Sequence, residues 1–167
     1  PLHLTIYYKG VDEKAWKVLD KNTQKKGAYL WDTLRLPDGK YQVKLTASDD
    51  PDNPQETAFI AENMIQPIVI DNSRPNIKSL DAAAGTEGKY VISGAARDDY
   101  SNVVKVQYTI DGQEWTSAYP VDGVFDSLEE PFQITTRPLV PGNYTLIVNA
   151  FDSEGNIGIE KVLIEVK

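Results

Sequence analysis

Two stretches of the chain carry the same alternating pattern, and they restrict the fold more than any other feature. Gly39-x-Tyr41-x-Val43-x-Leu45-x-Ala47-x-Asp49 recurs as Gly142-x-Tyr144-x-Leu146-x-Val148-x-Ala150-x-Asp152. A period of two places the apolar side chains of such a stretch on one face of an extended strand. The match runs on through Asp49 to Asn53 and Asp152 to Asn156. Upstream, Tyr8, Gly10 and Trp16 are echoed by Tyr108, Asp111-Gly112 and Trp115. The order tyrosine, turn, tryptophan, Gly-x-Tyr strand is therefore present twice, and a duplicated β unit is its simplest origin.

The rest of the chain reads the same way. Val104 to Ile110 and Val162 to Val166 alternate, and Pro37-Asp38-Gly39, Asp111-Gly112, Asp122-Gly123, Pro141-Gly142 and Glu154-Gly155-Asn156 punctuate the strands with turns. No window carries a 3.6-residue period. Short strands with turns at this spacing predict an all-β chain of antiparallel sandwiches. Ile68-Val69-Ile70 ends a strand, Asp71-Asn72 turns the chain, and Pro75 starts a new extended segment, which divides the chain into 1–72 and 73–167. Within 73–167, two strands near Ile77–Leu80 and Lys89–Ala96 precede the Tyr108 strand. In 1–72 the strand Leu2–Tyr8 takes that place with nothing ahead of it. The expectation is a first sandwich short of its two N-terminal strands, cut from a longer protein, followed by a complete seven-stranded one.

Composition narrows the function. The 167 residues include no Cys and one His, and the net charge is −8. Without Cys there is no disulfide, thiolate zinc site or thiol nucleophile. One histidine, His3, leaves no multi-His metal site and no identifiable triad. An acidic surface disfavours nucleic acid, which needs clustered Lys and Arg. No apolar run is long enough to span a membrane.

The candidate residues have two kinds of role. Gly39 with Tyr41, and Gly142 with Tyr144, sit where a buried ring and a corner hydrogen bond of its hydroxyl are expected. Trp16 and Trp115 are expected to cover a sheet or the space between sheets. Tyr29 and Trp31 share one face of an alternating segment; they either face the core or form an exposed aromatic pair suited to sugar rings or a partner protein. The acidic positions Asp71, Asp98, Asp99 and Asp152 form the best oxygen-donor set for calcium, against the alternative that Asp and Asn simply cap their own turns. Glu129-Glu130 reads as a solvated loop, because adjacent strand residues point to opposite faces and cannot flank one bond.

The second half resembles the immunoglobulin-like and fibronectin type III-like modules of secreted bacterial proteins. The likeness is carried by Ser93-Gly94-Ala95-Ala96-Arg97-Asp98-Asp99, then Val104 to Tyr108, then Asp111-Gly112-Gln113-Glu114-Trp115, and by the closing Ala150 to Asn156. Asp71-Asn72-Ser73-Arg74-Pro75 resembles the D-N-T-P-P junction between such modules, with Arg74 in place of a proline. The resemblance implies two tandem immunoglobulin-like sandwiches at the C-terminal side of a larger secreted, periplasmic or cell-surface protein, in which a β-propeller often lies upstream. It implies a non-enzymatic spacer, scaffold or binding surface, with a protein or glycan surface as partner and no cofactor of its own. Carbohydrate binding through exposed aromatics and a calcium-stiffened adhesion or stalk segment are the alternatives; a ligand-sensing module and a hydrolase stand further off.

Overall fold

The structure, a computed structural model, describes residues 2–21, 28–50, 52–53 and 57–167. The chain is all-β and its sheets are antiparallel. It separates into two compact units, Pro1–Asp71 and Asn72–Lys167.

The first unit holds β1 (His3–Gly10), β2 (Lys17–Lys21), β3 (Gly39–Ser48) and β4 (Ile60–Ile70), in one sheet of order β2-β1-β3-β4. The period of two decides which side chains meet. Tyr8 lies opposite Val43, Ile6 opposite Leu45 and Leu4 opposite Ala47, so these apolar residues share one face. Ile65, paired with Val43, and Ile68, paired with Tyr41, extend that face across β4. His3, Lys44 and Thr46 lie on the other side, where Lys44 pairs with Glu62 at 3.0 Å.

The second unit is a sandwich of two four-stranded sheets. One, in the order β5-β6-β10-β9, is built from β5 (Asn76–Ala84), β6 (Tyr90–Arg97), β10 (Glu129–Thr135) and β9 (Tyr119–Pro120). The other, in the order β12-β11-β7-β8, uses β12 (Ile157–Val166), β11 (Gly142–Asp152), β7 (Val103–Ile110) and β8 (Thr116–Ser117). Ile77, Ile92, Ala96, Phe132 and Ile134 from the first sheet bury against Val106, Ile110, Leu146, Val148 and Ala150 from the second. The unit has eight strands rather than seven, because β8 and β9 are two separate two-residue pairings.

The two Gly-x-Tyr strands occupy equivalent positions. Strand order β2-β1-β3-β4 matches β8-β7-β11-β12, and Val43 faces Tyr8 on β1 as Leu146 faces Ile110 on β7. The register adjusts the upstream match: Leu146 faces Ile110, so the counterpart of Tyr8 is Ile110, not Tyr108. Among the described residues the first unit has no counterpart of β5 and β6, the two strands that precede β7, nor of β9 and β10, which lie between β8 and β11.

Candidate functional site

The recurring tyrosines form the same corner twice. Tyr41 donates its hydroxyl to the Pro37 carbonyl at 2.8 Å, and Tyr144 donates to the Val140 carbonyl at 3.0 Å, each reaching back four residues. Each ties the start of its long strand to the connection that enters it, as a tyrosine corner does. The hairpin after β7 is closed with the same economy. Asp111 and Gly112 have φ of 51° and 69°, and Gln113 N–H donates to the Ile110 carbonyl, which makes the mirror-image turn that Asp-Gly favours. Asp111 Oδ1 then accepts the N–H of Thr145 on β11 at 2.8 Å.

The aromatic candidates separate. Trp31 packs edge-on against Tyr8, with ring centroids 5.0 Å apart, and against Tyr41 at 6.4 Å. Leu30 is 95% exposed and Tyr29 38%. Tyr29 and Trp31 therefore do not form an exposed pair, because Trp31 is used to cover the Tyr8 and Tyr41 rings. Trp16 lies under Lys9 and Lys44, each about 5.2 Å from its ring, a cation–π arrangement in which the lysine stems shield the indole. Trp115 does not cover the space between the sheets; it is exposed beside β8.

The acidic candidates divide as well. Asp98, at the end of β6, accepts the N–H groups of Tyr100 and Ser101 on Oδ1 at 2.9 and 3.2 Å. Asp152, at the end of β11, accepts those of Glu154 and Asn156 at 3.0 and 2.8 Å and the Asn156 side-chain amide at 2.9 Å. Both are buried, as is Asp71 just ahead of the second unit. One carboxylate oxygen of Asp98 lies within 4.8 Å of one of Asp152, both in the second unit. Asp99 leaves the set: its side chain is 71% exposed and pairs with Arg97 at 3.1 Å.

No family model matches the chain. It is 24% identical over 127 residues to the uncharacterized protein YvnB of Bacillus subtilis; the match covers 75% of this chain and 8% of that protein. Among solved structures, the fibronectin(III)-like modules of Clostridium thermocellum CbhA align with 98% of this chain and 77% of that one, at 17% identity and a TM-score of 0.41. The chain thus spans a small fraction of the length of its curated relative.

The residue that sequence reading missed is Glu130. Instead of a solvated loop, Glu129-Glu130 begins β10, with Glu129 exposed beside Arg97 and Glu130 1% exposed. Its Oε1 accepts the N–H groups of Asp126 and Ser127 at 2.8 and 2.6 Å. The signal was present: Glu130, Phe132 and Ile134 alternate, which puts the carboxylate on the buried face of the strand.

Proposed function

We propose that the chain is a non-catalytic pair of structural and interaction modules within a larger exported protein, serving as a spacer and binding surface. One observation supports this reading above the others. Of the four buried carboxylates among the described residues, Glu130, Asp98 and Asp152 each hold two backbone N–H groups of an adjacent turn. A carboxylate used as general acid, base or nucleophile must instead reach a reacting group. The short span of the chain against the Bacillus subtilis protein fits a module of a longer polypeptide. The exported setting follows the resemblance to secreted bacterial modules, and fractionation of the parent protein tests it. For the absence of catalysis, the chain is incubated with chromogenic glycosides, esters, phosphoesters and peptides. The expected result is no turnover above buffer; turnover abolished by Glu130→Gln, Asp98→Asn or Asp152→Asn overturns the reading.

A second reading adds calcium as a stiffening ion, and the close pair of buried carboxylates Asp98 and Asp152 favours it. Buried carboxylates this close repel one another. Calcium takes six to eight hard oxygens and neutralises such a group. Asp98 and Asp152 would be its protein carboxylates, and backbone carbonyls and water would complete the shell. Calorimetric titration with calcium chloride, with melting in calcium against EDTA, tests it. Heat uptake and a raised melting temperature, lost in Asp98→Asn and kept in Asp99→Asn, are expected; identical melting curves remove the ion.

A further inference from the structure

Several positions of the first sheet differ in burial from their counterparts in the second unit. In the second unit Val106, Val148 and Ala150 are fully buried beneath the β5-β6-β10-β9 sheet. Their register counterparts in the first unit are Leu4, Leu45 and Ala47: Leu4 faces Ala47 as Val106 faces Ala150, and Leu45 lies one inward position from Val43 as Val148 lies from Leu146. All three are only half-buried. Ile6 and Tyr41 run the other way, buried where Tyr108 and Tyr144 are half-buried, while β4 follows Leu4, Leu45 and Ala47. Ile68, opposite Tyr41, is half-buried, whereas Ile164, opposite Tyr144, is buried; Ile65, opposite Val43, is 51% exposed. Trp31 packs on the Tyr8 and Tyr41 rings at one end of the face.

We propose that this half of the first sheet, lined by Leu4, Leu45, Ala47 and Ile65, is a docking face completed by two antiparallel strands, the counterparts of β5 and β6, supplied by the polypeptide on the N-terminal side of β1. The occupant's chemistry follows from the second unit, where the covering strands present Ile77, Ile92 and Ala96 inward. It is a hairpin with branched aliphatic and small residues at every second position on one face and polar residues on the other. The side of entry follows from the chain path: in the second unit β5 and β6 directly precede β7, the counterpart of β1. Such a hairpin would remove the apolar side chains from water, which is what drives sheet-on-sheet packing. The inference rests on the reading of the chain as a module of a larger protein and specifies which surface joins it to the rest.

The test fuses a second copy of residues 72–102 directly ahead of Pro1, which reproduces the connection that leads from β6 into β7. Hydrogen exchange and binding of the dye ANS are compared in the original and fused chains. In the original chain the amides of Leu4 and Leu45 should exchange at least about tenfold faster than those of Val106 and Val148, and ANS should bind. In the fused chain exchange at Leu4 and Leu45 should slow by at least about tenfold and ANS fluorescence should fall severalfold. Carrying Ile77→Asp and Ile92→Asp within the added copy alone should cancel both effects. Equal exchange rates at Leu45 and Val148 in the original chain overturn the proposal whether or not the fusion folds, because the face is then already covered. So does a dimer by sedimentation with no ANS binding, which would make a second copy the occupant. Neither outcome bears on the turnover assay, so failure here and failure of the non-catalytic reading remain separate.

Discussion

Glu130 accepts the backbone N–H of Ser127 at 2.6 Å while its side chain is sealed from solvent at the head of β10. The same oxygen holds Asp126 N–H, so one carboxylate closes the turn that brings the chain into the inner face of the sandwich. Removing it takes the acceptor from two turn N–H groups in partly buried bonds, and a hydrogen bond to a charged group is worth about 1.5–3 kcal/mol. Glu130→Ala should therefore lower the stability of the second unit by about 3 kcal/mol in denaturant unfolding. Glu130→Gln, which retains an acceptor oxygen, should cost less than half as much. Equal losses in the two variants would mean that packing, not acceptance, is what the residue contributes.

The tyrosine corners predict a second result. Tyr41→Phe and Tyr144→Phe each keep the ring and lose one hydroxyl bond, to Pro37 and Val140 respectively. Each should cost about 1 kcal/mol. The losses should fall on different units, so the double variant should show additive effects in a fit with two transitions. A coupling larger than about 0.5 kcal/mol would contradict this.

Tyr41 also carries a pH signature. Burial, with the Glu13 carboxylate next in weight, pushes its phenol above the usual tyrosine range. The neutral form is the one the fold favours. The stabilisation is therefore complete below the unfolded value near 10 and is lost as pH rises through the higher folded value. Ultraviolet titration of the nine tyrosines should show one that ionises later in the folded chain than in denaturant, and Tyr41→Phe should remove it. Coincident titration of folded and denatured chains would refute the assignment.

Much of this was legible in advance, for a physical reason. Period-two patterning states which side chains share a face, so the strands β3, β7, β11 and β12 and the corner tyrosines follow from it. Asp-Gly at 111–112 names its turn because few dipeptides tolerate two positive φ values in succession. What pattern does not state is what lies opposite a face. Trp31 and Trp115 look alike as isolated aromatics, yet one covers two tyrosine rings and the other is exposed, and only the long-range packing decides between them. Asp98 and Asp99 are neighbours of the same type, and their opposite fates follow from which of them can reach the N–H groups of Tyr100 and Ser101. Glu130 was misread because its neighbour Glu129 suggested a charged loop, although its parity with Phe132 pointed inward.

Gly158 makes the last case, since nothing in its sequence context marks it. It sits in β12 opposite Ala150, and a Cβ built there would overlap the carbonyl oxygen of Pro75 at the entry to β5. The obstacle is backbone, not a flexible side-chain end, so no rotamer change can make room. One methyl group therefore has to push the two segments apart, and the cost is that of overpacking, about 1–3 kcal/mol or more. Gly158→Ala should lower the melting temperature of the second unit by several degrees, with the loss of protection in hydrogen exchange centred on Ile77 and Ile157 and not on the Tyr144 corner. Gly112→Ala supplies the contrast. Its Cβ would meet open space, and its cost would come from φ alone, at about 1 kcal/mol. A Gly158→Ala variant as stable as the parent would show that β5 can move away from β12 freely, and that this contact does not hold the edge of the sandwich.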